Sequence, residues 1–172
     1  MNGKIDLTVP TRVGEWLREM GFSPVTRADP KANWLFEVTY PPGHIRVGVG
    51  NPKAMPRSVT IACRLTATTE QVAAFRNLEE DSKREFWQTL RATLNREFVE
   101  FQIEGMRLSD CPIAFQVTAI RFDDGLSLDS LARTMSSVNK ACIDACAIFE
   151  ERLGSAGPAS GGEFEFKRLG VQ

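Results

Sequence analysis

Trp34-Leu35-Phe36-Glu37-Val38-Thr39-Tyr40 sets Trp34, Phe36, Val38 and Tyr40 against Leu35, Glu37 and Thr39, the period of two of a strand with one buried face. Pro41, Pro42 and Gly43 then force a turn, and Ile45, Val47 and Val49 alternate with Arg46 and Gly48. After a proline-bearing loop from Asn51 to Arg57, Val59, Ile61, Cys63 and Leu65 repeat the pattern against Ser58, Thr60 and Arg64. Three strands joined by short loops predict an antiparallel meander.

Upstream, Val9, Val13, Trp16, Leu17 and Met20 recur at helical spacing, and Gly21 stands where a left-handed cap is wanted. The segment from Phe22 to Asn33, with Pro24 and Pro30, reads as an irregular connection. Downstream, Thr68 with Gln71 and Ser82 with Glu85 have capping-box spacing, which predicts a short helix over 70–78 and a second helix running to about Arg96. The second carries Phe86, Trp87, Leu90 and Leu94 on one stripe.

Val99, Phe101 and Ile103 alternate with Glu100, Gln102 and Glu104 as a fourth strand. In the fifth, Ile113, Phe115, Val117 and Ala119 hold one parity while Ile120 and Phe122 hold the other, so a bulge near Ala119 or burial of both faces at that end is expected. Asp123-Asp124-Gly125 makes a turn. Leu128, Leu131, Met135, Val138, Cys142, Ala145, Phe149 and Leu153 then step by threes and fours through a long helix between an N-cap at Ser127 and a stop at Gly154. Residues 1–154 thus read as one α+β domain in the order α-βββ-α-ββ-α, with a single five-stranded sheet. Residues 155–172 read as a flexible Ser/Ala/Gly/Pro linker and a tail in which Phe164 and Phe166 alternate with Glu163, Glu165 and Lys167.

With 42% hydrophobic and 25% charged residues, the chain has the composition of an ordinary globular domain. A net charge of −1, from 21 basic and 22 acidic residues, supplies no field to gather a polyanion, so nucleic acid is not an expected partner. No stretch approaches the roughly 20 apolar residues of a membrane span and the first ten residues lack a signal-peptide core, so no membrane association and a cytoplasmic location are expected.

No constellation specifies chemistry. His44 is the sole histidine and follows Pro41-Pro42-Gly43, which predicts a surface position at a hairpin tip. Cys142 and Cys146 lie four apart on the buried stripe of the long helix and are read as packing residues, because the Cys-x-x-Cys and Cys/His spacings of zinc sites are missing. Gly48-Val49-Gly50 runs into Asn51-Pro52 and is a strand end, not a phosphate cradle. No catalytic, cofactor-binding or metal-binding residue is assigned.

The run from Asn33 to Tyr40, the helix around Phe86-Trp87-Gln88-Thr89-Leu90, and Phe122-Asp123-Asp124-Gly125-Leu126 before a long helix resemble an uncharacterised family of bacterial and archaeal domains with a type III secretion chaperone-like fold. The resemblance implies a twisted antiparallel sheet with helices mainly on one face, a homodimer, and a partner segment bound in extended form. Two functions are weighed on this basis. The first is a non-catalytic protein- or peptide-binding domain, with Trp87, Leu90 and Leu94 as the dimer or partner surface. The second is a small-molecule sensor or enzyme with a site near His44 or Asp123 and Asp124.

Overall fold

The structure is a computed structural model that describes residues 8–41, 45–96, 99–104, 111–154 and 159–160. In chain order its elements are α1 (Thr8–Glu19), β1 (Val25–Thr26), β2 (Ala32–Tyr40), β3 (Ile45–Pro52), β4 (Ser58–Thr66), α2 (Thr69–Arg76), α3 (Glu80–Arg96), β5 (Glu100–Glu104), β6 (Ala114–Phe122), α4 (Leu128–Leu153) and β7 (Ala159–Ser160). Six strands form one antiparallel sheet in the order β1-β2-β3-β4-β6-β5, and the two-residue β7 joins it alongside β4.

The alternation read in the sequence sorts the sheet's two faces. Phe36 stands opposite Val49, Val38 opposite Val47, Val49 opposite Ile61, Ile61 opposite Ala119, Cys63 opposite Val117 and Phe101 opposite Val117. Residues opposite one another share a face, so this apolar set forms one surface. It merges with Val13 and Leu17 of α1, Phe75 of α2, the α3 stripe and the whole inner face of α4 into a single core. Among the described residues, the apolar cluster on the opposite face is small: Ala32, Leu35 and Ala62.

Helix α4 is the central packing element, touching β3, β4, β6, α2 and α3. Its N-terminus is closed by a reciprocal pair: Ser130 N–H donates to Ser127 Oγ at 3.1 Å and Ser127 N–H to Ser130 Oγ at 2.8 Å. Gly154 ends it in the left-handed region at φ 71°, where a side chain would be strained. Phe149 links the helices to the sheet, with ring centroids 5.1 Å from Phe86 and 5.7 Å from Phe115, while Phe75 meets Phe86 at 5.4 Å.

The sheet has one strand more in line than the five expected, because Val25 and Thr26, inside the segment read as irregular, pair with Glu37 and Phe36. Arg27 extends the contact, its N–H donating to the Leu35 carbonyl at 2.9 Å and its guanidinium to Glu37 at 2.8 Å. The bulge expected near Ala119 does not form: β4 and β6 pair in continuous register from Ser58 opposite Phe122 to Thr66 opposite Ala114. The irregularity lies instead between Ala32 and Trp34. Burial of both faces does not reach that end either: Gln116 and Thr118 are buried on the side away from the helices, but Phe122 is 60% exposed, so the mixed parity of Ile120 and Phe122 marks apolar residues left at the open end of the strand. Within the linker read from Ser155 onward, Ala159 and Ser160 pair with Thr66 and Leu65, so the sheet takes residues from beyond residue 154. The alternating phenylalanines of the tail lie outside the described residues.

Candidate functional site

The residues predicted for a dimer or partner surface are not on the surface. Trp87, Leu90 and Leu94 are each 0–1% exposed within the single chain. Helix α3 lies on α4 and against β5, so the stripe faces these two elements and becomes core. The Trp87 Nε1–H finds no acceptor among the described residues, and the Arg91 guanidinium lies 5.2 Å from the ring centroid.

His44 lies outside the described residues. Its neighbours Pro41 and Ile45 stand at one end of the sheet, whereas Asp123, which follows Phe122 opposite Ser58, stands at the other. The length of β3 separates the two ends, roughly 23 Å at the rise of an extended strand. Asp123 accepts from Arg57 Nε and Nη2, each at 3.2 Å. Those bonds hold its carboxyl below the usual range, and they tie the β4 entry to the turn that starts α4. Asp124 is exposed in that turn.

The thiols are free and embedded. Cys63, Cys111 and Cys142 are buried and Cys146 is partly so. Burial pushes Cys146 up to about 12 and Cys111 to about 11. Burial, with a hydrogen bond to Cys63, raises Cys142 well above the ordinary thiol range. These are inert packing cysteines by the criteria of thiolate chemistry. Among the described residues no group of three or more His, Cys, Asp or Glu could hold a metal ion. The basic residues do not gather into one group: Lys53 Nζ donates to the Pro30 carbonyl and Arg57 to Asp123 at one end of the sheet, while Arg46 and Arg64 lie toward the other, on β3 opposite Thr39 and on β4 opposite Gln116.

Concavity appears at a place the sequence did not mark. A groove of about 520 Å³ is lined by Met20, Gly21, Phe22, Ser23, Val25, Glu37, Thr39, Tyr40 and Pro41. The end of α1 builds it. Phe22 N–H donates to the Leu17 carbonyl and Gly21 N–H to the Arg18 carbonyl, both at 2.9 Å, with Gly21 at φ 86°. This paired cap reverses the chain and lays Phe22 edge-on against Tyr40, 4.8 Å between centroids. Burial pushes the Tyr40 hydroxyl up to about 12, so it is a neutral donor at physiological pH.

The groove borders an incomplete sheet edge. β1 pairs with β2 only at Phe36 and Glu37. Since the Leu35 carbonyl points toward this edge, accepting from Arg27, every second residue does so, and the next after Glu37 is Thr39. The Thr39 N–H and C=O therefore face outward beside the groove, with exposed Val25 next to them. The signal legible in the sequence was Gly21 followed by Phe22. What it could not show is that a strand of two residues would stop short of Thr39.

The fold and this edge define an α+β domain with one helix-covered antiparallel sheet. The chain belongs to the family described as uncharacterized conserved protein (DUF2299), whose model matches residues 9–149. It is also similar to the crystal structure of an uncharacterized protein from Methanothermobacter thermautotrophicus, at 29% identity and a TM-score of 0.76 over 84% of this chain and 98% of that one. No curated protein matches the chain.

Proposed function

We propose that the protein is a non-catalytic domain that binds an extended stretch of polypeptide by adding it to the β2 edge, with an apolar side chain of the ligand seated in the groove. The outward backbone of Thr39 beside the cavity of Met20, Phe22, Val25 and Tyr40 carries the reading. Main-chain hydrogen bonds supply affinity in such strand addition, and the neighbouring pocket supplies selection. The type III secretion chaperone-like architecture expected from the sequence belongs to the same proposal, as does action in the cytoplasm. Helices gathered on one face leave the sheet's edge accessible. A homodimer, if formed, uses a surface other than the buried α3 stripe.

One observation favours a second reading. A volume of about 520 Å³ is within the range of small-molecule sites, and Ser23, Glu37 and Tyr40 supply polar groups around an apolar floor. A single variant separates the two. Thr39→Pro removes the outward N–H at an edge position where proline is tolerated, and it leaves the other groove side chains in place. Selection from a library of twelve-residue random peptides is expected to enrich sequences with a shared apolar anchor that bind the wild type and fail on Thr39→Pro. Peptides that bind both proteins equally, or no enrichment at all, refute strand addition.

A further inference from the structure

Strand β1 is held to the sheet by little. It has two residues, both exposed, and no residue from Ser23 to Lys31 is buried. Beyond the pairing of Val25 with Glu37 and Thr26 with Phe36, its ties to β2 are the Arg27 N–H on the Leu35 carbonyl and the Arg27–Glu37 ion pair, whose guanidinium is 51% exposed. An ion pair so open to water adds little. The ease of local opening follows from scarce buried apolar contact, so β1 parts from β2 far more readily than the central strands part from one another.

Opening β1 changes what the edge offers. Of the outward-facing residues Leu35, Glu37 and Thr39, the first two are occupied by Arg27 and Val25, and release of β1 frees them. On the helix side of β2, Trp34, Phe36 and Tyr40 form a row of half-buried aromatic side chains, with Trp34 and Phe36 5.6 Å apart between centroids and Phe22 closing against Tyr40. A strand paired with β2 directs every second side chain onto this row. β1 sends only Thr26 there, opposite Phe36. A short hydroxyl-bearing residue leaves aromatic area in water that a larger apolar one covers.

We propose that β1 is a displaceable placeholder, and that the incoming polypeptide takes its line along Leu35 to Thr39, antiparallel to β2, with apolar side chains at alternate positions against Trp34, Phe36 and Tyr40. Displacement rests on strand addition at the β2 edge and specifies its partner: an extended segment, apolar at every second residue, that engages three hydrogen-bonding residues of β2 instead of Thr39 alone. Because the ligand competes with β1 for Leu35 and Glu37, its apparent affinity is set partly by how often β1 is open, and loosening β1 tightens binding.

The probes are the twelve-residue peptides selected on the wild type, which are expected to carry two or more apolar residues spaced by two; a lone apolar position would overturn the partner's chemistry. Arg27→Pro removes the amide and the ion pair that hold β1 and alters no side chain lining the groove. It is expected to tighten the selected peptides by about threefold or more. In Val25→Cys/Glu37→Cys the two positions are directly opposite, and the oxidised, cross-linked form is expected to bind about tenfold or more weakly than the same variant reduced. Unchanged or weaker binding in Arg27→Pro, or equal binding by the oxidised and reduced forms, overturns displacement and leaves addition at Thr39 standing; peptides indifferent to Thr39→Pro, or no enrichment, remove both. Hydrogen exchange needs no peptide: the Arg27 amide of the wild type is expected to exchange about 100-fold or more faster, relative to its intrinsic rate, than the amides of Ile61 and Ala62 on central β4. Equal protection would overturn the proposal.

Discussion

Trp87 offers a quantitative test of the assignment of α3 to the core. The side chain is 1% exposed, and a tryptophan buries on the order of 150–250 Å², so at about 25 cal/mol per Å² its truncation removes several kcal/mol. Allowing for partial collapse of the cavity, Trp87→Ala is expected to cost about 3–5 kcal/mol. That is a large part of the ~5–15 kcal/mol that holds a domain folded. Trp87→Phe behaves differently. The missing ring volume, roughly 40 Å³ at about 24 cal/mol per Å³, costs about 1 kcal/mol. Against this, deleting an Nε1–H that has no acceptor returns a desolvation penalty of about 1–3 kcal/mol. The phenylalanine variant should therefore lie within about 1 kcal/mol of wild type, or slightly above it. Urea unfolding followed by circular dichroism measures both, with light scattering on the folded Phe variant to show an unchanged mass. A loss under 1 kcal/mol in Trp87→Ala, or a Phe variant as weak as the Ala variant, would refute the burial argument. A change in mass would restore α3 as an assembly surface.

Two further outcomes follow from the electrostatics. Hydrogen bonds from Arg57 lower the Asp123 pKa, so their contribution to stability is fully present above the unfolded-state pKa and is lost as pH falls through the folded value. A carboxyl NMR titration should find Asp123 below the ordinary carboxylate range, and Arg57→Ala should return it upward; an unchanged value would dismiss the pair. The raised pKa values of Cys111, Cys142 and Cys146, and the burial of Cys63, predict that native protein at pH 7.5 reacts with iodoacetamide only slowly at Cys146 and negligibly at Cys63, Cys111 and Cys142. In urea all four should alkylate at ordinary rates, and rapid labelling of native Cys142 would contradict its place under α4.

Sequence alone determined what is local. The period of two in Trp34–Tyr40, Ile45–Val49 and Val59–Leu65 determined which side chains meet the helices, because successive residues of an extended chain point to opposite faces. Steps of three and four from Leu128 to Leu153 determined α4, and Ser127 and Gly154 determined its ends, because caps satisfy backbone groups only a few residues away. Only the tertiary structure decided which apolar stripe meets which. The stripe of Trp87, Leu90 and Leu94 reads the same whether it is covered by α4 or by another molecule. Ile120 and Phe122 signalled by parity a bulge or burial of both faces at that end, whereas continuous pairing with β4 kept the register and left Phe122 exposed, with both faces buried only earlier in the strand. The groove required Gly21, Val25 and Tyr40 to come together from three elements. Alternation and capping act within one segment, but strand order, the shortness of β1 and the cover of a helix face depend on competition among distant segments for the same apolar area.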